Sequence, residues 1–472
     1  MSAIKTAKTK LIILGLVIID VLFVIIGAVV TNVIMYGFGN LKDVFNYAYL
    51  TVLIAFVVFF FVMYDLYVSN TDTVFNSGIS AGLGVLAASV CTMFVAWILN
   101  LSTRTVGAVF LEFIITEVFM VTWRTVAAEF IKRFGIKRSC LIIENMNNTS
   151  RLARKLKYAL NDNKEAFYIM LDEDNEDEVR QLIENKIEQY DLIFISPWIS
   201  QNITTKIMNK AFLLKKDVNV LADIDAISTM HGKIYQIEDT AVIEKKSLHM
   251  SRMQRFLKRT FDIVFSLVFS ILSAPIALLC ALAIKLDSPG PVLYKQERYT
   301  MDKKVFNVYK FRTMVQDAEK YGAQFATEDD PRITKSGKLL RATRLDELPQ
   351  LYNILLGTMS VVGPRPERPI FADDFAKKVG NYDLRYCVKA GLTGYAQVYG
   401  KYNTRVSDKI LMDMIYIVNY SFLLDIKLIL LTVKTMFVKS ATEGVDEERD
   451  VMLSTEEKEQ KRRDYTIQKI GG

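Results

Sequence analysis

The sequence predicts a membrane protein in three parts. These are an α-helical N-terminal bundle, an α/β Rossmann-like module, and a mixed α/β C-terminal domain carrying a re-entrant membrane helix. Three observations lead there. Apolar residues crowd the first 130 positions. Short apolar strands alternate with helical patterns between 135 and 245. A second apolar run at 261–285 is interrupted by Pro275.

Composition frames this reading. A chain of 472 residues suggests about three units of ordinary domain size. It is 51% hydrophobic, with mean hydropathy +0.20. The formal charge of +7, from 59 basic and 52 acidic residues, fits an anionic membrane surface or phosphate ligands. No long basic stripe appears, so nucleic acid is not an expected partner. Cys91, Cys140, Cys280 and Cys387 are scattered without CxxC spacing, which argues against a zinc site or a disulfide framework. His231 and His249, the only two histidines, give a histidine triad or histidine–metal site little material.

Residues 1–130 divide into four apolar stretches, roughly 11–36, 45–68, 79–100 and 106–127. Each is about long enough to cross a bilayer as a helix. Lys5, Lys8 and Lys10 precede the first, and Arg124, Lys132, Arg133, Lys137 and Arg138 follow the last, so both ends are expected in the cytoplasm. The 69–78 loop lacks Lys and Arg and does not support this, and Arg104 opposes it. Asp20 and Glu112 are intramembrane carboxylates that would pair with a neighbouring helix or face other subunits.

Residues 135–245 read as a parallel sheet with helices on both faces. Strands are expected at 139–143, 166–171, 192–195 and 218–221, with helices near 149–160, 175–188 and 201–215. A dinucleotide site needs glycines after the first strand. The run 144–150 has none, so the module is read as degenerate. Residues 234–257 read as a linker.

Residues 251–440 form the C-terminal domain. A straight span at 261–285 would carry everything beyond it across the membrane. A helix that enters one leaflet, breaks at Ala274-Pro275 and returns avoids this, with Lys258, Arg259 and Lys285 at one headgroup layer. Ser270 and Ser273 would satisfy the backbone that Pro275 frees. The helix 421–438 carries Asp425, Lys427 and Lys434 and is expected to lie in the interface. The tail 441–472 reads as charged and flexible.

The most informative string is Arg344-Leu345-Asp346-Glu347-Leu348-Pro349-Gln350-Leu351. Pro349 puts a helix start near Asp346, where backbone N–H groups would keep an aspartate ionised as a nucleophile or metal ligand. The ordinary alternative is an Asp N-cap followed by a first-turn Glu. Arg341, Arg344 and the rigid Pro364-Arg365-Pro366 nearby tilt the balance toward chemistry.

Six strings in order carry a resemblance. They are Lys258-Arg259-Thr260-Phe261-Asp262, Ser288-Pro289-Gly290-Pro291, Lys310-Phe311-Arg312-Thr313-Met314, Arg341 with Leu345–Gln350, Gly363–Pro366, and Gly391–Val398. Residues 258–440 resemble the large polyprenyl-phosphate glycosyl-1-phosphate transferases, the monotopic phosphoglycosyl transferases that start surface polysaccharide synthesis. Two departures stand out. Ala274-Pro275 replaces a common Ser-Pro, and Tyr299-Thr300-Met301-Asp302 replaces turn glycines.

The resemblance implies that Asp346 attacks the β-phosphate of a UDP-sugar, releases UMP and holds a sugar phosphate until undecaprenyl phosphate takes it. It implies Glu347, with Asp346, as Mg²⁺ ligand. Arg341 would serve as a phosphate contact, and Arg365, Pro364, Pro366, Lys310, Arg312 and Gln350 would line the substrate cleft. Asp413 and Tyr416 would assist. Lys258, Arg259, Asp262 and Pro275 would belong to the re-entrant membrane element. Expected partners are a UDP-sugar, undecaprenyl phosphate and the bilayer, with homo-oligomer (dimer) formation left open. The expected location is the bacterial inner membrane, multi-pass, with the catalytic domain cytoplasmic. Galactose and glucose are the family-level sugars. A non-catalytic scaffold and a membrane-anchored nucleotide-sugar dehydratase are the competing classes. The first is disfavoured by the intact Asp346-Glu347 pair, the second by the absent glycine-rich loop.

Overall fold

The computed structural model describes residues 2–37, 47–67, 74–100, 106–134, 138–145, 164–229, 232–237, 240–244, 248–316, 318, 330–400, 404–436 and 468–470. The chain forms two compact units, Met1–Ala222 with Asp450–Gly472, and Asp223–Arg449.

The first unit opens with helices α1 (Ser2–Tyr36), α2 (Tyr47–Met63), α3 (Val74–Ile98) and α4 (Val106–Phe134). Leu11–Tyr36 and Asn76–Ile98 are long and apolar enough to cross a membrane, and Tyr47–Met63 is a shorter apolar helix. Several of their polar residues are satisfied inside the bundle, as a hydrocarbon solvent favours, whereas Asn32 and Thr116 have buried side-chain atoms without a hydrogen-bond partner among the described residues. Thr31 and Thr92 donate to the carbonyls of Gly27 and Ala88, one turn back. Asp20 and Arg124 form a buried ion pair, joined by Tyr67 Oη at 2.8 Å and Trp123 Nε1 at 3.0 Å. Asp20 therefore pairs with a neighbouring helix, one of the two outcomes expected of it. Gly27 lets α1 and α4 approach closely, since a Cβ there would lie 3.3 Å from Thr116 Cα.

The same unit contains β1 (Arg138–Asn145), β2 (Lys164–Leu171), α5 (Glu176–Gln181), β3 (Leu192–Ile195), α6 (Gln201–Leu213) and β4 (Asp217–Val220). The helix expected over 175–188 is only partly regular, because α5 continues as a π-turn (Leu182–Lys186) and a 3₁₀ turn (Ile187–Gln189). The helix expected near 149–160 lies outside the described residues. The four strands are parallel in the order β2-β1-β3-β4. At their carboxyl ends the Glu173 carboxylate accepts from Ser200 N (3.0 Å) and from Asn145. A carboxylate thus stands beside the end of β1. The expectation of a flexible tail needs correction at one place. Gln468–Ile470 is a strand, antiparallel to β2, because its backbone completes an otherwise open sheet edge.

The second unit begins with α7 (Ile224–Thr229) and a hairpin, β5 (Lys233–Ile237) with β6 (Thr240–Glu244). The hairpin lies where a linker was expected. Lys-Ile-Tyr-Gln-Ile and Thr-Ala-Val-Ile-Glu carry the β-branched and aromatic content of strands. Ile227 is 1% exposed and belongs to this unit's core. Next come α8 (Arg252–Asp287), β7 (Leu293–Tyr299), β8 (Val305–Phe311), α9 (Lys335–Ala342), α10 (Gln350–Leu356), β9 (Ser360–Val362), α11 (Pro369–Lys378), β10 (Gly391–Thr393), α12 (Tyr395–Tyr399), α13 (Val406–Val418) and α14 (Phe422–Met436). β7 and β8 form an antiparallel hairpin that closes although Asp302 and Lys303 stand where glycines would be easier, both at positive φ. β9 and β10 pair in parallel.

α8 starts with a capping box, Ser251 Oγ accepting from Gln254 N while Gln254 Oε1 accepts from Ser251 N. The expected break at Ala274-Pro275 does not interrupt it: the helix is continuous for 36 residues with Pro275 inside. A proline removes one hydrogen bond and the flanking ones can persist. Its middle is apolar and exposed at Ile271, Leu272, Leu278 and Leu279, whereas both ends pack on the same unit.

The charged residues of α8 also depart from expectation. Lys258 is not at a headgroup layer. It is buried, 2.7 Å from Asp425 Oδ2 and 3.0 Å from Tyr416 Oη. Arg259 donates to the carbonyls of Ile354 (2.6 Å) and Leu355 (2.7 Å), capping the end of α10, where Gly357 turns the chain at positive φ. Asp262 accepts from Ser360 Oγ and Val361 N, both at 2.9 Å. Of the three cations expected at one headgroup layer, Lys258, Arg259 and Lys285, only Lys285 is exposed. One charge on α14 departs in the same way. Asp425 points into the core with Leu428 and Leu431, so this charge marks a packed face rather than a wet one.

Candidate active site

Four elements meet at one cleft. β8 supplies Lys310, the 3₁₀ turn Leu345–Glu347 supplies Glu347 with Asp346 next to it in the turn, α10 supplies Gln350, and the loop after β9 supplies Arg365 and Pro366. Arg298, Val308 and Gly391 complete the lining. The Asp-Glu pair does not open an α-helix in the expected way. It sits in a 3₁₀ turn entered through Arg344 at φ 55°, and Pro349 caps the following α10 without a side-chain bond. The Asp N-cap alternative is therefore not what the backbone adopts.

The two acids have different surroundings. Glu347 Oε1 accepts from Lys310 Nζ at 2.7 Å and from Arg365 Nη2 at 3.3 Å. Burial opposes its ionisation, but Lys310 and Arg365 outweigh burial and hold the carboxyl well below the ordinary range. Its Oε2 has no hydrogen bond among the described residues. Asp346 is half-buried and accepts no hydrogen bond among the described residues. The turn was expected to favour its charge. Instead burial pushes its carboxyl up, with Glu347 adding to that, against Lys310, Arg341 and Arg365. Arg341, in the last turn of α9, has its Nη1 buried without a hydrogen-bond partner among the described residues. A buried donor left open in this way is costly unless an anion fills the place.

Other expected site residues lie elsewhere. Arg312 is buried and donates to Pro289 O (2.7 Å), Ser288 O (2.8 Å) and Ser288 Oγ (2.9 Å), so it braces the turn after α8. Gly290 there has φ +120° and no room for a Cβ beside the Arg312 guanidinium. Pro364 contributes its carbonyl, which accepts from Gly391 N at 2.9 Å. Tyr416 belongs to the Lys258–Asp425 cluster and not to the cleft. Asp413 is buried and pairs with Arg385 at 2.8 Å. Pro275 lies in the exposed middle of α8, remote in sequence from every cleft residue.

Sequence reasoning missed Arg298 and Arg385. Arg298 donates to Pro366 O at 3.1 Å and lies 3.7 Å from Glu367. Burial pulls its guanidinium down to about 10; Glu367 opposes this, while Arg365 and Arg368 reinforce it. The spacing Gln296-x-Arg298 was the one available signal.

Among the described residues no group of three or more His, Cys, Asp or Glu is placed to hold a metal ion. Mg²⁺ needs only one or two carboxylates when substrate phosphates supply the rest. Asp346 and Glu347 Oε2 fit that requirement.

Residues 253–439 match the family model described as bacterial sugar transferase. The chain is 42% identical over 211 residues to the UDP-N-acetylgalactosamine-undecaprenyl-phosphate N-acetylgalactosaminephosphotransferase of Aeromonas hydrophila, covering 44% of this chain and 50% of that protein. It is 39% identical over 230 residues to the UDP-glucose:undecaprenyl-phosphate glucose-1-phosphate transferase of Escherichia coli K12, covering 48% and 49%. An exopolysaccharide production protein of Rhizobium leguminosarum bv. phaseoli is 42% identical over 190 residues, 38% of this chain and 95% of the relative. The match thus spans about half the length of the first two relatives and nearly all of the third.

Proposed function

This chain belongs to the bacterial sugar transferase family, and from that premise we propose that it is a membrane enzyme that transfers a sugar 1-phosphate from a UDP-sugar to undecaprenyl phosphate, releasing UMP. The observation that carries this reading is the asymmetry of the acid pair. Asp346 is free of hydrogen bonds among the described residues, while Glu347 is held by Lys310 and Arg365.

In the first step an Asp346 oxygen forms a bond to the β-phosphorus as the bond to the UMP oxygen breaks. In the second, an oxygen of the lipid phosphate bonds to that phosphorus and the Asp346 carboxylate leaves, giving a lipid diphosphate sugar. Arg341 and Arg365 meet the phosphate oxygens. Lys310 keeps Glu347 ionised and oriented. A Mg²⁺ ion held by Asp346 and Glu347 Oε2 would neutralise the diphosphate and ease departure of UMP.

The exposed apolar middle of α8, with both ends on one unit, supports a re-entrant membrane element and a cytoplasmic catalytic unit, and the apolar helices of the first unit support a multi-pass bundle. The parallel order β2-β1-β3-β4 supports a Rossmann-like module without a working dinucleotide site. The two transferases named above differ in sugar, N-acetylgalactosamine in one and glucose in the other, so the matched segment leaves the sugar open.

The test is UMP release from membranes given individual UDP-sugars with undecaprenyl phosphate. Release that depends on one sugar and on Asp346 supports the reading. A membrane scaffold would release none.

A further inference from the structure

The Pro364–Glu367 loop is held by its carbonyls. Four consecutive ones each take a donor: Pro364 O from Gly391 N (2.9 Å), Arg365 O from Arg385 Nη2 (3.0 Å), Pro366 O from Arg298 Nη1 (3.1 Å) and Glu367 O from Tyr299 N (3.1 Å). Two of these donors are backbone and two are guanidinium. Pro364 and Pro366 carry no N–H, so the loop cannot be secured through those two nitrogens.

Arg385 is 6% exposed and has its own buried counter-ion, Asp413, at 2.8 Å. It also donates to Tyr382 Oη at 2.8 Å. Burying a charged pair is expensive, and satisfying one carbonyl does not require it. The Arg365 side chain is 45% exposed, so water has access beside it. What two guanidinium groups add over water is a fixed geometry, since a planar fork fixes direction as well as distance.

Resting on the function proposed above, we propose that Arg385 and Arg298 are positioning residues: from two separate elements they clamp the loop so that the Arg365 guanidinium stays beside Glu347, aligned for the diphosphate. Asp413 orients Arg385 in turn. Neither residue need touch substrate.

The test is a double-mutant cycle on the full-length protein in detergent, reading UMP release, UDP affinity by calorimetric titration, and melting temperature. A small misplacement of a substrate-holding group can cost about 100-fold in rate, and that loss is expected for Arg385→Lys. In an Arg365→Ala background the same change should add almost nothing, because residues acting through one another are not additive. Arg298→Lys supplies an independent arm with the same expectation. Losses that multiply with Arg365→Ala would overturn the proposal. So would collapse of the melting temperature in both lysine variants, which would assign both residues to the fold alone. UDP affinity needs no turnover. Coupling seen there in a wild type that releases no UMP would sink the proposed reaction and leave the clamp standing.

Discussion

Lys310 Nζ lies 2.7 Å from Glu347 Oε1 and makes no hydrogen bond to the neighbouring Asp346. Two adjacent carboxylates would otherwise share the nearest cation and become equivalent. Here the cation is committed to one of them, so the acids divide into an anchored one and an available one. Lys310 alternates along β8 with the buried Phe311, so the strand itself aims it at the turn.

This division predicts different failures for the two acids. Asp346→Asn should abolish the mass gain of one hexose phosphate on incubation with UDP-sugar and Mg²⁺ without lipid. Glu347→Gln should still gain it, slowly and with a higher metal requirement. Losses on the order of a thousandfold are expected for the removed nucleophile. Intact-mass spectrometry reads both. An adduct on the Asn variant would exclude Asp346 and leave direct attack by the lipid phosphate.

Asp413 predicts a pH dependence. Burial pushes its carboxyl up to about 6, with Arg385 opposing and Glu367 reinforcing, and Lys409 also facing it. The folded chain therefore keeps a proton that the unfolded chain has already released above about pH 4. The sign follows: the contribution of this group to stability declines as pH rises through about 6. Asp413→Asn should flatten the slope of melting temperature across that window. Wild-type turnover should rise over the same window, as the ionised Asp413 takes hold of Arg385. An unchanged slope in the Asn variant would rule out Asp413 as its source.

The buried Lys258–Asp425 pair predicts a large single-site cost and a small double one. Lys258→Met strands the Asp425 charge and should destabilise the second unit by about 3–5 kcal/mol. Adding Asp425→Leu should recover most of that. Thermal denaturation in detergent measures both, and a double variant no better than the single would show that the pair is not the source.

The membrane arrangement predicts a labelling pattern. In a variant lacking the four native cysteines, Lys378→Cys, which is exposed, should resist impermeant thiol reagents in intact cells. Thr103→Cys, between the third and fourth apolar stretches, should react. Ready labelling at position 378 would mean that α8 spans the bilayer after all.

Much of this site could be read from the chain because its parts are local. Asp346 and Glu347 are adjacent, Arg341 is five residues away, and Arg365 sits between two prolines. The string Lys258–Asp262 was legible as a landmark but not in its role. Its partners Asp425, Ile354 and Ser360 lie 167, 95 and 98 residues along the chain, and only packing brings them together. Arg298 and Arg385 escaped for a different reason. Their bonds to the loop go to backbone carbonyls, which every residue has, so no residue type in the loop marks them. The hairpin β5–β6 was lost because its surroundings are polar enough to read as a linker. The apolar helices α1 and α3 were plain, since hydrocarbon tolerates few sequences.

One helix holds three parts of the cleft's scaffold. Asp262 of α8 holds β9, from which the Arg365 loop springs, and Arg259 holds the end of α10, which follows the acid pair. Asp287 accepts from Ser336 N at 2.7 Å, at the start of the α9 that carries Arg341. In the proposed re-entrant arrangement the apolar middle of the same helix rests in lipid. The altitude of the reacting phosphorus above the bilayer is then not adjusted by a hinge but inherited from how deep α8 sinks. A bilayer that lifts the helix by one residue, about 1.5 Å, lifts Asp346 with it. The lipid phosphate stays at its own level. In the proposed two-step reaction, membrane thickness and headgroup packing would thereby become kinetic variables of the second step, and the first step, fed from water, would be insulated from them.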